Sequence, residues 1–386
     1  MTPKPSVVLL HNRYREPGGE ERSVAAMASL LGERGHRVEM IERSSAELAG
    51  AAGRVRAGAA MLRGGADPAR IADVVRSSGA DVAHFHNLNP LLGWRALKAA
   101  REAGARVVMH LHNYRLFCSI AIAFRDHDIC MRCRDRNTLP GVRLRCRGNL
   151  PEAAAYAAGL SLQLPRVLES VNRFVVPSRA AAERLASFGV PDDRMDVLHN
   201  FLPLSEMAAE SSAAEGGYAL FAGRLVEEKG ADTAIKAARR AGVPLVVAGS
   251  GPDEARLRQL AGSADVRFTG RLTAAELAEL RRGAALALAP SRWPEPCPYV
   301  VIEAMAAGLP VLASDVGGLP EMVGADSTLP PRGATVEWAA ALEALWSNPR
   351  ARARRGDDAL ARARRLFGDE HFYSGLSALY ELVQLA

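Results

Sequence analysis

Two cations stand five residues apart in Gly223-Arg224-Leu225-Val226-Glu227-Glu228-Lys229-Gly230, between a short apolar run and a helical pattern. Glycine lets backbone approach a ligand, a helix start favours an anion, and arginine and lysine add charge-assisted donors. The combination suits a phosphate or diphosphate. The plainer alternative is a solvated helix start in which Glu227 and Glu228 partner the cations. A second constellation, Ser291 to Gly308, carries Glu295 and Glu303. Pro294, Pro296 and Pro298 forbid a helix through Glu295 but permit one to begin near Pro298. Glu295 is then expected on a rigid loop and Glu303 about a turn inside the helix. Its neighbours Val300, Val301, Ile302, Ala304 and Met305 are apolar, so the Glu303 carboxylate is expected at a cleft edge, accepting hydroxyl hydrogen bonds. One carboxylate would take a ribose and the other a sugar ring. Against this stands a helix-start charge with a surface glutamate.

Four of the five cysteines, Cys118, Cys130, Cys133 and Cys146, fall in one stretch. The Cys130-x2-Cys133 pair has zinc-ligand spacing, and a cytosolic setting argues against disulfides. Two readings stand: a closed, structural zinc site, or free or redox-variable thiols. The same excursion, Arg125 to Arg147, holds seven arginines against three aspartates. That excess would steer an anionic acceptor such as a lipid-linked phosphate, or a membrane surface. The uncharged run Ala153 to Leu164 would dip into an interface; the alternative is a solvated loop followed by a buried helix. Asp126 and Asp128 read as a solvated pair in a polar loop. His84 and His86 end a strand and read as core or rim histidines. No Gly-x-Gly-x-x-Gly opens a strand–helix unit and no Walker loop occurs, which disfavours a dehydrogenase or an NTPase.

These residues must be held by elements, and the chain alternates short apolar runs with longer helical patterns, the mark of a parallel α/β architecture. Strands are expected at 6–11, 36–41, 81–86, 105–111 and 173–177. The segment 198–217, with Pro203 and several serines, breaks the rhythm and reads as a linker. The pattern restarts with strands at 218–222, 244–248, 266–269, 285–289 and 310–313. Two doubly wound, Rossmann-like units in tandem are therefore expected: residues 1–202, with the cysteine- and arginine-rich excursion 118–148, and residues 203–366. Ligands bind at the carboxyl ends of such strands, so two facing sheets imply a cleft between them. An amphipathic C-terminal helix, 367–386, presents Phe372, Leu376, Leu379, Leu382 and Val383 at helical spacing and is expected to pack back on the first unit.

The length of 386 residues suits two or three domains, and the ordinary charged and apolar fractions (24% and 48%) exclude a disordered chain or a fibre. Only four basic residues are lysine (Lys4, Lys98, Lys229, Lys236); the rest of the 49 are arginine, a skew that looks like GC-rich coding. A net charge of +6 spread this way does not point to nucleic acid. No apolar run reaches the ~18 residues of a membrane span, and the N-terminus lacks a signal-peptide pattern. A soluble, cytoplasmic protein is expected, with the inner face of the membrane as a variant.

The motifs taken in order resemble a family. Gly223-Arg224-x4-Lys229-Gly230, Gly249-Ser250-Gly251-Pro252, Gly270-Arg271 followed by Glu276-Leu277, Glu295-x7-Glu303 and Gly317-Gly318-Leu319-Pro320-Glu321 closely resemble the retaining, GT-B-fold glycosyltransferases of family 4 (glycosyl transferases group 1). Pro17-Gly18-Gly19-Glu20-Glu21 is similar to that family's first glycine loop, and Leu111-His112-Asn113-Tyr114 to its donor-facing histidine segment. The resemblance implies sugar transfer from a UDP- or GDP-sugar to a hydroxyl of a glycan, glycolipid or small molecule. It also implies retained configuration by front-side attack, with a donor phosphate oxygen taking the proton, and no catalytic metal. Arg224 and Lys229 would bind the diphosphate, and Gly18 and Gly19 would approach it by their amides. Gly223, Gly249 and Gly251 would shape the donor loop, with Arg271 near the base. Glu303 would hold the ribose, while Glu295 and His112 would contact the transferred sugar. Two departures stand out: Cys297-Pro298 replaces a Phe-Gly pair that donates backbone N–H groups, and Asn113 replaces an aspartate. A nucleotide-sugar epimerase or hydrolase of the same fold, or a non-catalytic nucleotide-sugar-binding subunit, are the alternatives. The base, the sugar, the acceptor, the pathway and the oligomeric state are not encoded in these motifs.

Overall fold

The computed structural model describes residues 4–16, 18–324, 327 and 329–385. Pro17, within the first glycine loop, lies outside them. The chain divides into two compact units. The first comprises residues up to Ala123, Cys130–Leu198 and Phe372 onward; the second comprises Phe124–Ile129 and His199–His371.

The strands, in chain order, are β1 (Val7–Arg13), β2 (Val38–Ser44), β3 (Val82–Phe85), β4 (Arg106–His110), β5 (Phe124–Arg125), β6 (Asp128–Ile129), β7 (Arg173–Val176) and β8 (Met195–Val197), followed by β9 (Ala219–Ala222), β10 (Leu245–Ala248), β11 (Val266–Gly270), β12 (Leu286–Ala289) and β13 (Val311–Ala313). The first unit holds a parallel six-stranded sheet in the order β2-β1-β3-β4-β7-β8. The second holds a parallel five-stranded sheet, β11-β10-β9-β12-β13. Strand order reverses between β1 and β3 in the first sheet and between β9 and β12 in the second. Loops leaving such neighbours run in opposite directions and open a crevice at the strands' carboxyl ends.

Helices cover both faces, so the strands read as unbroken apolar runs rather than alternating ones. Val7 to Leu10 of β1 are essentially inaccessible. In the second unit Leu220 and Val246 pack into one core, while Ala219, Phe221, Leu245 and Val247 pack into another on the opposite face. Strand β8 falls where the sequence shows only Met195-Asp196-Val197, a short edge strand with one apolar residue on either side of an aspartate.

The C-terminal helix, Asp369–Leu385, buries Phe372, Leu376, Leu379, Tyr380 and Val383. Leu382, expected on that face, is 46% exposed, and Tyr380 takes the buried place. The uncharged run from Ala153 lies in the helix Leu150–Ser170, where Ala153, Tyr156, Ala157, Leu160 and Leu164 are buried. Its lack of charge is thus explained by packing inside the first unit. No helix among the described residues is long and apolar enough to cross a membrane. Asp126 and His127 form the tight turn of the β5–β6 hairpin, and Asp128 pairs with Arg332, both in the second unit.

Candidate functional site

In the second unit, the loops after β9 and β12 meet at the switch point. Arg292 N–H donates to the Glu228 carbonyl at 2.8 Å. A Cβ on Gly230 would sit 2.0 Å from the Pro290 carbonyl oxygen, so only glycine allows the two loops to close together there. The loop after β10 joins them: Gly223 N–H donates to Ala248, Leu225 N–H donates to Ser250, and a Cβ on Gly249 would lie 1.9 Å from the Gly223 carbonyl oxygen. Gly223, Gly249 and Gly251 therefore belong to one packed set of turns. Gly249 N–H in turn donates to Gly270, beside the exposed Arg271.

These turns place Lys229 on Glu295. The Lys229 ammonium donates to Glu295 Oε1 at 2.7 Å and lies 5.6 Å from the Trp293 ring centre. Glu295 is 3% exposed, and its Oε1 also accepts from the Ser291 hydroxyl. Its backbone is fixed by Gly318 N–H donating to the Glu295 carbonyl at 2.7 Å. Lysine has three donors, and one is used here, so the cation is aimed and still has donors for an anion. Arg224 is 65% exposed at its side chain and lies 3.6 Å from Glu228 in an i,i+4 pair. Arg292 reaches Asp232 at 2.7 Å and Thr233 at 3.2 Å. Burial would raise the Asp232 pKa, but Arg292 and Lys236 outweigh it and hold the carboxyl below the usual range.

Glu303 sits one turn into the helix Tyr299–Ala306, as the prolines predict. Its carboxylate does not stand ready at an open edge: it is 11% exposed and ion-paired with Arg281. The apolar neighbours that draw this helix inward also bury the carboxylate, and a buried carboxylate needs a cation. Cys297 is buried, its thiol pushed up to about 12 by burial, and its carbonyl accepts from Asn200 at 2.7 Å. It is a packed thiol, not a nucleophile.

In the first unit, the loops after β1 and β4 line a pocket with Tyr14, Glu20, His86, His112, Asn113 and Arg115, over an apolar floor that includes Leu160 and Leu164. Glu21 closes the turn into the helix Gly19–Glu33: its carboxylate accepts Tyr14 N–H and Gly18 N–H, each at 2.8 Å. Burial opposes ionisation there, yet contacts with His11 and those amides bring its pKa down to about 2. The Gly18 amide is therefore committed to capping its own helix, and Gly19 is the first helical residue. Glu20 behaves oppositely. Burial raises its pKa, although Tyr14 O–H at 2.8 Å and Asn113 Nδ2 at 3.1 Å donate to it. Arg115 donates to Tyr14 Oη at 3.2 Å and Tyr156 Oη at 3.1 Å, fixing a guanidinium beside the carboxyl.

His112 joins a row of histidines. His84 and His86 share a face of one strand line, His110 and His112 that of the next, and His86 Nδ1 lies 2.8 Å from His112 Nε2. Burial, and then their mutual repulsion, drive all four pKa values down, to about 3 for His84. His112 is thus a neutral imidazole with one nitrogen turned toward His86. Tyr14, Glu20, Arg115, Ser291 and Arg281 were not singled out by spacing. The available signals were Glu20 inside the glycine loop and Arg115 three residues beyond His112.

The family model described as Glycosyltransferase Family 4 matches residues 17–206, and Glycosyl transferases group 1 matches residues 205–362. The chain is 32% identical over 272 residues to a D-inositol 3-phosphate glycosyltransferase of Mycobacteroides abscessus, a match spanning 64% of this chain and 60% of that protein. To the D-inositol 3-phosphate glycosyltransferase of Mycolicibacterium paratuberculosis it is 30% identical over 307 residues, 73% of this chain and 68% of that protein. In fold it is similar to Anabaena HepE, crystallised in complex with UDP, with a TM-score of 0.66, 17% identity, and coverage of 98% of this chain and 100% of that one. Two parallel doubly wound sheets, the glycine-bounded loops at their switch points and these matches lead to one assignment: the chain belongs to the group 1, family 4 glycosyltransferases, whose solved relatives have the GT-B fold.

Proposed function

We propose that this protein moves a sugar from a nucleotide-diphosphate donor to an acceptor hydroxyl, with retention at the anomeric carbon and without a catalytic metal. The observation that carries the reading is Lys229, held by Glu295 where strand order reverses and bordered by three interlocked glycine turns. In this reading Lys229 and Arg224 take the diphosphate oxygens and stabilise the charge that grows as the sugar leaves. The bond from the anomeric carbon to the phosphate oxygen breaks, a bond to the acceptor oxygen forms, and the acceptor proton passes to the departing phosphate. Glu303, oriented by Arg281, takes the ribose. His112 contacts the transferred sugar, and the Tyr14–Glu20–Asn113–Arg115 pocket serves the acceptor side, where several donors and acceptors suit a hydroxyl-rich molecule. The UDP bound by Anabaena HepE, and the inositol phosphate named for the mycobacterial relatives, make a UDP-sugar and a phosphorylated polyol the first pair to try.

The test is incubation with UDP- and GDP-sugars, with and without polyol, glycan and glycolipid acceptors, in the presence of EDTA. Acceptor-dependent nucleotide release, with the product keeping the donor's anomeric configuration by NMR, is expected. Turnover without acceptor would instead indicate an epimerase or hydrolase, and donor binding without turnover a non-catalytic subunit.

A further inference from the structure

Cys118, Cys130, Cys133 and Cys146 are carried on a stretch with little regular structure: a hairpin of two-residue strands and the five-residue helix Leu139–Arg143. All the described non-glycine residues with positive φ in the chain, from Ala121 to Arg145, lie in it. Such backbone costs energy at each position and persists only where its surroundings impose it. The fold gathers the four thiols nonetheless. Cys118, Cys146 and Cys130 all act electrostatically on the Cys133 thiol. Two residues tie the set in pairs. The Ala123 carbonyl, five residues beyond Cys118, accepts from Cys130 N–H at 2.8 Å. A Cβ on Gly141 would lie 3.9 Å from the Cys133 sulfur, and the Gly141 carbonyl accepts from Cys146 N–H at 3.0 Å. The turn after Cys118 is itself closed by Ala121 N–H donating to the Cys118 carbonyl at 2.9 Å. Burial holds the Cys118 and Cys133 thiols above their ordinary pKa, Cys133 at about 11, so a bound cation would have to displace their protons.

We propose that these four cysteines hold a structural zinc ion that fixes the excursion of the first unit. Zn²⁺ would displace the four thiol protons to solvent and bind four thiolates in a tetrahedron, leaving no position open for catalysis. With Zn–S bonds of ~2.3 Å the sulfurs would stand ~3.8 Å apart. No three of them are within 4.8 Å of one another, so binding draws the turns inward. Among the described residues, three ligand atoms that do lie within 4.8 Å of one another belong to His84, His86 and His110. Those rings are stacked, at 8° between His84 and His86 and 22° between His86 and His110. His84 Nδ1 is already engaged with Tyr380 Oη at 2.8 Å, a contact that a metal on this nitrogen would have to displace.

The full chain, purified without chelator from zinc-supplemented cells and without a metal-affinity tag, is expected to carry about one zinc per chain by elemental analysis. Cys133→Ser and Cys130→Ser are expected to lower that content at least several-fold. Replacement by Co²⁺ is expected to give the intense visible bands and the near-ultraviolet thiolate-to-metal charge transfer of a tetrahedral tetrathiolate. Zinc well below one per chain in the native protein would overturn the proposal even where the serine variants fail to fold. A cobalt spectrum without thiolate charge transfer would overturn it too, and would move the metal to the histidines. Neither result bears on donor turnover, so the proposal stands or falls apart from the transfer reaction.

Discussion

Lys229 and Arg224 have equal formal charge and unequal settings. Lys229 is 18% exposed and hydrogen-bonded to a buried carboxylate, whereas Arg224 lies largely in solvent. A held cation loses little freedom when it meets an anion, and low local polarity strengthens the contact. Lys229→Ala is therefore expected to lower kcat/KM for the nucleotide-sugar by at least ~10-fold, from the loss of a charge-assisted contact of ~1.5 kcal/mol or more. Steady-state kinetics with saturating acceptor check this, and near-normal turnover would remove Lys229 from the diphosphate site. Arg281 and Glu303 offer a second test, on stability. Removing one member of a buried pair strands the other, while replacing both with apolar residues often restores the loss. Arg281→Met is expected to lower the urea midpoint, and Arg281→Met with Glu303→Leu to recover much of it. A double variant as unstable as the sum of the two single ones would show that the pair is not the reason.

Among elements, the loops after β9, β10 and β12 depend on glycines that admit no side chain. Gly249 has φ +142° and faces a backbone carbonyl, not a flexible side chain that yields. Gly249→Ala is expected to cost ~1–3 kcal/mol and to raise KM for the donor, since the same turn shapes the loop carrying Arg224. Urea unfolding and donor titration check the two effects, and an unchanged midpoint would refute the packing argument. This level was the most legible in the sequence. Apolar runs and turn residues place ten of the thirteen strands, nine of them within two residues at each end, because parallel strands covered on both faces need continuous apolar residues. Edge strand β8, half-buried and interrupted by Asp196, lacks that requirement, as do the two-residue strands β5 and β6, and none of the three is legible in the sequence. The prolines placed Glu295 on a loop and Glu303 in a helix. They carried no information on Arg281, which reaches Glu303 from a helix 22 residues away, because such pairing follows from tertiary packing alone.

For the molecule as a whole, the histidine row couples the first unit's stability to pH. Two His-x-His pairs can be read from the sequence, but that they stack depends on β3 lying beside β4, which topology decides. His84 is anchored to Tyr380 of the C-terminal helix, Nδ1 to Oη at 2.8 Å, while both His110 nitrogens are buried without a hydrogen-bond partner. All four rings have folded pKa values below the ~6.5 of an unfolded histidine, so the unfolded chain binds more protons as pH falls. Stability from this source is complete above that value and is lost as pH drops toward the folded values, about 3 for His84. Each ring contributes up to ~1.4 kcal/mol per pH unit within its window. Glu21, with its pKa lowered to about 2, adds a loss of the same sign only below the usual carboxylate range. Glu20, whose pKa is raised, has the opposite sign and offsets part of the slope above that range. The urea midpoint is therefore expected to be level from pH 8 to 7 and to fall steeply toward pH 5. His110→Leu gives up no hydrogen bond and removes one titrating ring, so its slope should be shallower and its midpoint at pH 5.5 at least that of the parent. A parent midpoint that stays level down to pH 5 would mean these rings are protonated, or exposed to water, in the folded protein.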